Sequence, residues 1–181
     1  GWGDGKSVLL FDMHHIISDG MTINLLMEEF GALYGGGELP EQRVQYKDYS
    51  QWMESRDLSE QKEYWLERFG DEIPVLELPL DFPRPARQSF AGGLVSGKVA
   101  PELSKRVEAL AGSFGGTEYM VLLGTMMALL SRYSSQEDIV VGSPVSGRTH
   151  RDTERMAGMF VNTLAMRGRP EQGKSFRTLL E

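Results

Sequence analysis

Apolar residues run almost unbroken through Ser7-Val8-Leu9-Leu10-Phe11-Asp12-Met13-His14-His15, and this β-branched and aromatic mixture predicts a buried strand. A loop from Ile16 to Gly20 follows. Between Met21 and Tyr34 the apolar positions Ile23, Leu26, Met27, Phe30, Leu33 and Tyr34 recur at spacings of three and four, the pattern of an amphipathic helix, and Gly35-Gly36-Gly37 ends it. Tyr46 to Trp52 and Glu60 to Phe69 read as two short helices, each with an aromatic face, on which Tyr49 and Trp52 are expected to pack in a core. Residues 73 to 93 carry Pro74, Pro79, Pro83 and Pro85 among glycines, which predicts an extended crossing segment. Leu94 to Val99 reads as a strand, and Pro101 to Ala111 as a helix with proline in its first turn. Thr117 to Tyr133 reads as a helix apolar nearly all round, hence buried on more than one side. Ile139 to Val141 predicts a short buried strand, Gly142 to Glu154 a polar loop, and Met159 to Met166 another strand. Ser175 to Glu181 resembles the first turns of a helix with no stop signal. No internal repeat is visible.

Composition narrows the function. The chain has 181 residues, 40% of them hydrophobic and 25% charged, enough to bury a core, and 21 glycines point to a loop-rich α/β or α+β chain. A net charge of -7 argues against a nucleic-acid or anionic-membrane surface. The absence of cysteine removes disulfides, thiol nucleophiles and Cys-zinc or iron–sulfur sites. No signal-peptide pattern and no run of 18 apolar residues is present, so a cytosolic location is expected. The first residue is Gly1, not methionine, and both ends read as cut.

Two of the three histidines are adjacent, His14 and His15, followed by Ile16-Ile17-Ser18-Asp19-Gly20. Neighbouring side chains on an extended chain face opposite ways, so the two cannot line one pocket unless the strand ends between them, which weighs against a metal site. A single imidazole at the end of a strand suits general-base or positioning work. Asp19 could contact His15 as in a triad, or pair with an arginine and hold the loop; the latter is preferred because the following helix turns the carboxylate away. Gly20 would let the backbone turn closely and leave an N–H for a substrate carbonyl or oxyanion. The plainer alternative is a core histidine beside an N-capping aspartate. No Gly-x-Ser-x-Gly elbow and no phosphate-binding glycine loop is present.

Three ordered blocks carry more information than any one. His14-His15-Ile16-Ile17-Ser18-Asp19-Gly20 resembles the His-His-x-x-x-Asp-Gly signature of the condensation domains of non-ribosomal peptide synthetases. Tyr46-Lys47-Asp48-Tyr49-Ser50-Gln51-Trp52 is similar to a second block of that family. Gly142-Ser143-Pro144-Val145-Ser146-Gly147-Arg148, continued by Gly158-Met159-Phe160-Val161-Asn162-Thr163-Leu164, is similar to a third. Leu78 to Pro85 resembles its connecting segment. Met21 and Thr22, the latter in place of serine, are mild departures.

The resemblance implies an α/β (α+β) fold like that of chloramphenicol acetyltransferase, two lobes in a V, here incomplete. Residues 1–72 would then be the end of the first lobe, 73–93 the crossing segment and 94–181 the start of the second. That truncation would leave the helix at 117 to 133 partly exposed. It implies amide formation between a donor thioester and an aminoacyl acceptor, both delivered on phosphopantetheine arms by peptidyl carrier domains beside an adenylation domain. This chain itself would bind no cofactor and no metal. His15 would be the active-site residue, as base or as a positioning group. His14 would be structural, Asp19 an architectural anion paired with an arginine, and Gly20 would lie against the substrate path. Asn162, Thr163 and Arg148 are candidates for the substrate tunnel. The residues alone also allow Asn162 to satisfy local backbone groups, and Arg148 either to contact a carrier domain, the donor arm or Asp19 or to be a solvated loop arginine. A relative acting on a soluble amine or alcohol, and a non-catalytic docking module with the same fold, are the competing functions.

Overall fold

A computed structural model describes residues 5 and 7–180, so the ends Gly1 and Glu181, read above as cut, lie outside the described residues. Helices α1 (Gly20–Tyr34), α2 (Tyr46–Ser55) and α3 (Ser59–Arg68) come first, then α4 (Pro101–Ser113) and α5 (Glu118–Ser134). Strands β1 (Ile139–Ser146) and β2 (Val161–Gly168) and a last helix, α6 (Phe176–Leu180), complete the order. The mixture of helices with one small sheet agrees with the expected α+β class.

Helix boundaries follow from local chemistry. Asp19 caps α1 by accepting the Thr22 N–H at 2.7 Å. Gly36, at φ 79°, turns the chain out of α1 in the left-handed region that glycine adopts without strain. At α2 the Asp48 carboxylate reaches back to the Gln45 N–H at 2.8 Å, which satisfies a donor the helix leaves open. Pro101 opens α4, where its missing N–H has no intrahelical partner to lose. The Thr117 hydroxyl accepts the Met120 N–H at the start of α5.

The strands pair as a two-stranded sheet. They run antiparallel, since Gly147 N–H donates to Phe160 O just beyond one end while Asp138 meets Arg167 near the other. β1 extends to Ser146, past the expected stop at Val141, so Gly142 to Ser146 is strand and not polar loop. In a two-stranded sheet each strand keeps an open side, on which the missing N–H of Pro144 is tolerated.

Contacts divide the chain into two compact units, residues 1–70 with 144–164, and residues 71–143 with 165–181. Residues 144–164 therefore group with the first 70. In the first unit, Phe160 packs edge-on against Tyr46 and tilted against Tyr49, with ring centroids 5.1 and 4.7 Å away. The Tyr46 hydroxyl donates to Met159 O at 2.6 Å. A Cβ on Gly158 would overlap the Tyr46 ring, and one on Gly147 would overlap Phe160 O, so both glycines are set by close packing.

In the second unit Ala111, Val121 and Leu180 form the core, flanked by Val107, Phe114 and Phe176. A Cβ on Gly124 would come within 2.7 Å of Leu180 Cδ2, so glycine lets α6 approach α5. Arg167 on β2 reaches Asp138 at 2.6 Å and Asp71 at 2.7 Å, and these bonds hold both carboxyls below their ordinary range.

Two expected strands fail for one reason. Ser7 to His15 and Leu94 to Val99 form no ladder, and Leu10 and Val95 are 87% and 98% exposed. A strand is defined by its neighbours, and no described residue pairs with either segment. α5 buries Val121, Gly124 and Met127 on one side, whereas Tyr119, Leu122, Met126, Leu129 and Tyr133 stay exposed on it, so it is not buried all round. No helix among the described residues is long and apolar enough to cross a membrane.

Candidate functional site

The His-His segment sits where extended backbone gives way to a turn. His14 is still extended, at φ -67° and ψ 137°, and residues His15–Ile17 form a 3-10 turn. The change of geometry falls between the two histidines, the one circumstance that frees them from pointing to opposite faces. His14 Nδ1 accepts the Ile16 N–H at 3.1 Å, so this imidazole is spent on the turn. The His15 side chain is exposed, and no described residue hydrogen-bonds to it.

Four residues on, Asp19 does the opposite and disappears into the structure, 3% exposed. Its Oδ1 accepts from Thr22 N–H, and its Oδ2 accepts from Phe160 N–H at 3.2 Å. Arg148 Nη2 lies 3.1 and 3.3 Å from the two oxygens, with both side chains 2% exposed. The triad alternative is thereby excluded: the carboxylate is committed to Thr22, Phe160 and Arg148 and makes no bond to His15. Arg148 is the arginine partner of Asp19, and the reading of it as a solvated loop residue does not hold.

Arg148 is satisfied by more than its anion. Nη1 donates to Thr153 O and to Met156 O, the latter at 2.7 Å, and Nη2 donates also to Thr22 Oγ1 at 3.1 Å. Its guanidinium carbon lies 4.0 Å from the centroid of the Phe160 ring, a cation–π contact. Nε is the one buried side-chain donor with no acceptor among the described residues.

Thr22, which sequence reading passed over as a mild departure, is as central as the charged pair. Its hydroxyl donates to Gly158 O at 2.7 Å and accepts from Gly158 N–H at 3.0 Å and from Arg148. One donor and both acceptor positions are used. The available signal was that a hydroxyl three residues after a capping aspartate faces whatever the aspartate faces.

Burial pushes the Asp19 carboxyl up, but the hydrogen bonds from Thr22, Phe160 and Arg148 outweigh it and hold the group below its ordinary value. A carboxyl depressed on folding contributes stability above its unfolded pKa of about 3.9 and loses it as pH falls through the folded value. The expected result is a urea midpoint to which this group contributes fully and without pH dependence between pH 5 and 7, and which falls below about pH 4 as that contribution is lost. Asp19→Asn should flatten that acid limb; an unchanged limb would show that Asp19 is not its source.

The other candidates are more open. Gly20 begins α1, and a Cβ there would meet nothing within 4 Å, so nothing in this chain's own packing requires glycine. Asn162 and Thr163 are exposed on β2, where Asn162 Oδ1 accepts the Thr163 N–H at 2.8 Å, the local backbone role that the sequence allows. Tyr49 is half-buried against Phe160, whereas Trp52 is exposed, its ring under Arg56.

The fold and site define an α+β chain in which the motif's aspartate is locked to a buried arginine, while the His15 imidazole four residues before it makes no hydrogen bond to a described residue. A family model described as "Condensation domain" matches residues 1–181, and the chain belongs to that family. It is 49% identical over 181 residues to gramicidin S synthase 2 of Brevibacillus brevis, covering 98% of this chain and 4% of that protein. It is 49% identical over 179 residues to tyrocidine synthase 3 of Brevibacillus parabrevis, covering 97% of this chain and 3% of that protein. Among solved structures, the first condensation domain of the CDA synthetase matches at a TM-score of 0.70 with 26% identity, over 92% of this chain and 39% of that one. The X-domain in complex with OxyB from teicoplanin biosynthesis matches at a TM-score of 0.82 with 22% identity, over 92% and 40%, a likeness of fold. The chain thus spans only a small part, 4% and 3%, of the two synthases it matches.

Proposed function

We propose that this chain is the central part of a domain that forms an amide bond in non-ribosomal peptide synthesis, joining a carrier-bound acyl or peptidyl thioester to the amine of a carrier-bound aminoacyl group. The carrier domains supply the phosphopantetheine arms, and an adenylation domain supplies the activated acceptor. The amine attacks the thioester carbonyl, the C–N bond forms as the C–S bond breaks, the amine proton is lost and the thiol leaves. His15 acts on the attacking amine, as base or as the group that orients it. Aminolysis of a thioester is favourable, so positioning with a modest proton-transfer contribution is sufficient.

The observation that carries this reading is the division of labour in one turn: His14 and Asp19 are committed to structure while the His15 imidazole between them is exposed and unspent. Arg148 then serves through Asp19, holding the turn's far end. Gly20, Asn162 and Thr163 would line the substrate path.

The test uses the full domain with donor-loaded and acceptor-loaded carrier proteins, and intact mass of the acceptor carrier as readout. Transfer of the acyl group to the acceptor carrier is expected. Equal turnover with a free amine or alcohol would favour a soluble-acceptor transferase instead, and no transfer to either would favour a docking module.

A further inference from the structure

A cavity of about 240 Å³ lies apart from the signature turn, between residues 44–52 and residues 150–156 of the first compact unit. Its walls are apolar and aromatic, formed by Val44, Tyr49 and Trp52. Its floor is closed, since Thr153 and Met156 are 4% and 3% exposed. Both floor residues turn their carbonyls to Arg148 Nη1, so the guanidinium that anchors Asp19 also fixes this cavity before any ligand arrives.

The rim carries charge of one sign. Asp48 and Asp152 line it and are exposed, and among the described residues no lysine or arginine lines the cavity. His150, also at the rim, adds no cation: its Nδ1 accepts the Asp152 N–H at 3.2 Å, which requires that nitrogen to be unprotonated. The aromatic wall is already presented to a cation, for the Arg56 guanidinium carbon stands 4.9 Å from the centroid of the Trp52 ring. Arg56 itself does not line the cavity, so that contact leaves it open.

An apolar slot with aromatic walls, two carboxylates and no cation of its own is complementary to arginine, whose stem is apolar, whose planar head stacks on rings and whose donors fork onto carboxylates. We infer that this cavity is a docking site for an arginine side chain presented by a partner polypeptide. The stem lies against Val44 and Met156, and the guanidinium meets the aromatic wall and the carboxylates of Asp48 and Asp152. The volume suits one long side chain, so the backbone that carries it stays outside. This inference does not rest on the role proposed for His15.

The experiment uses the full domain with carbon-13 methyl-labelled methionine and follows the Met156 methyl resonance, assigned with Met156→Leu. The probe is the peptide acetyl-Gly-Gly-Arg-Gly-Gly-amide. Saturable movement of the resonance is expected, with a dissociation constant about tenfold higher in Trp52→Leu and roughly threefold higher in Asp152→Asn. The same peptide with citrulline, the uncharged isostere of arginine, should bind at least about tenfold more weakly. Trp52 is 42% exposed and the Asp152 side chain 54%, so both variants should keep the parent's urea midpoint. Equal binding of the arginine and citrulline peptides, or a constant untouched by Trp52→Leu, would overturn the inference. Equal binding of a peptide with leucine in place of arginine would overturn it in favour of an apolar partner. A Met156 methyl that no peptide moves would overturn it too, since the cavity is then covered by other parts of the domain.

Discussion

Arg148→Met lowers the stability of the domain by about 3–5 kcal/mol, because it leaves the Asp19 carboxylate buried without its cation. For a domain of this size class that is a fall in Tm on the order of 10 °C. The substitution keeps volume and removes five donors at once, and the loss reaches well beyond the ion pair. Thr153 O and Met156 O lose their donor, the Thr22 hydroxyl loses one of its two, and the Phe160 ring loses the cation above it. An exposed pair would be worth about 0–1 kcal/mol, so the size of the effect decides between a screened surface bridge and a buried anchor. Adding Asp19→Leu to Arg148→Met should recover part of the loss, since the stranded charge is then gone, and the non-additivity measures the coupling. A single-variant loss under about 1 kcal/mol in urea denaturation would show that Asp19 and Arg148 are not buried together in solution.

His15→Ala gives the opposite profile, with stability unchanged and turnover on loaded carriers reduced by about 10²–10⁴-fold. The reason for the separation is geometric. The side chain is exposed and bonds to no described residue, so removing it strands no partner and opens no cavity. The two variants together divide the signature into an architectural half and a reactive half. An Arg148→Met domain that stays folded at low temperature should recover turnover in part, whereas His15→Ala should not recover under any condition that merely stabilises the fold. Turnover of His15→Ala at the parent rate would leave the domain without its proposed catalytic group.

The elements that sequence reading located well are those with local causes. Asp19 before α1, Gly35 to Gly37 after it, Pro101 at α4 and Thr117 at α5 all act within one turn of their own helix, so their effect is written in adjacent residues. Strands fared worse because their cause is elsewhere in the chain. Ser7 to His15 has the composition of a strand but no partner among the described residues, and β1 runs through Gly142 and Pro144, two residues that locally argue for its end. The site shows the same split. The need of Asp19 for an arginine was legible from the motif and Arg148 was one candidate for it, but nothing in the spacing of residue 148 distinguishes a buried guanidinium from a solvated one. Thr22 was missed because its partners, Gly158 and Arg148, are 136 and 126 residues away.

Those separations have a consequence during synthesis. Asp19 and Arg148 stand 129 residues apart, so the carboxylate emerges from the ribosome long before its cation exists. At about 5–20 residues per second the wait is roughly 6 to 26 s. Throughout that interval α1 can form on its own cap, but the anchor beneath the motif cannot close, and the turn bearing His15 reaches its working geometry only after the segment around Phe160 has been made. The anchored motif is therefore assembled late, and a nascent chain stalled before residue 148 would carry the whole signature without the ion pair that buries its aspartate.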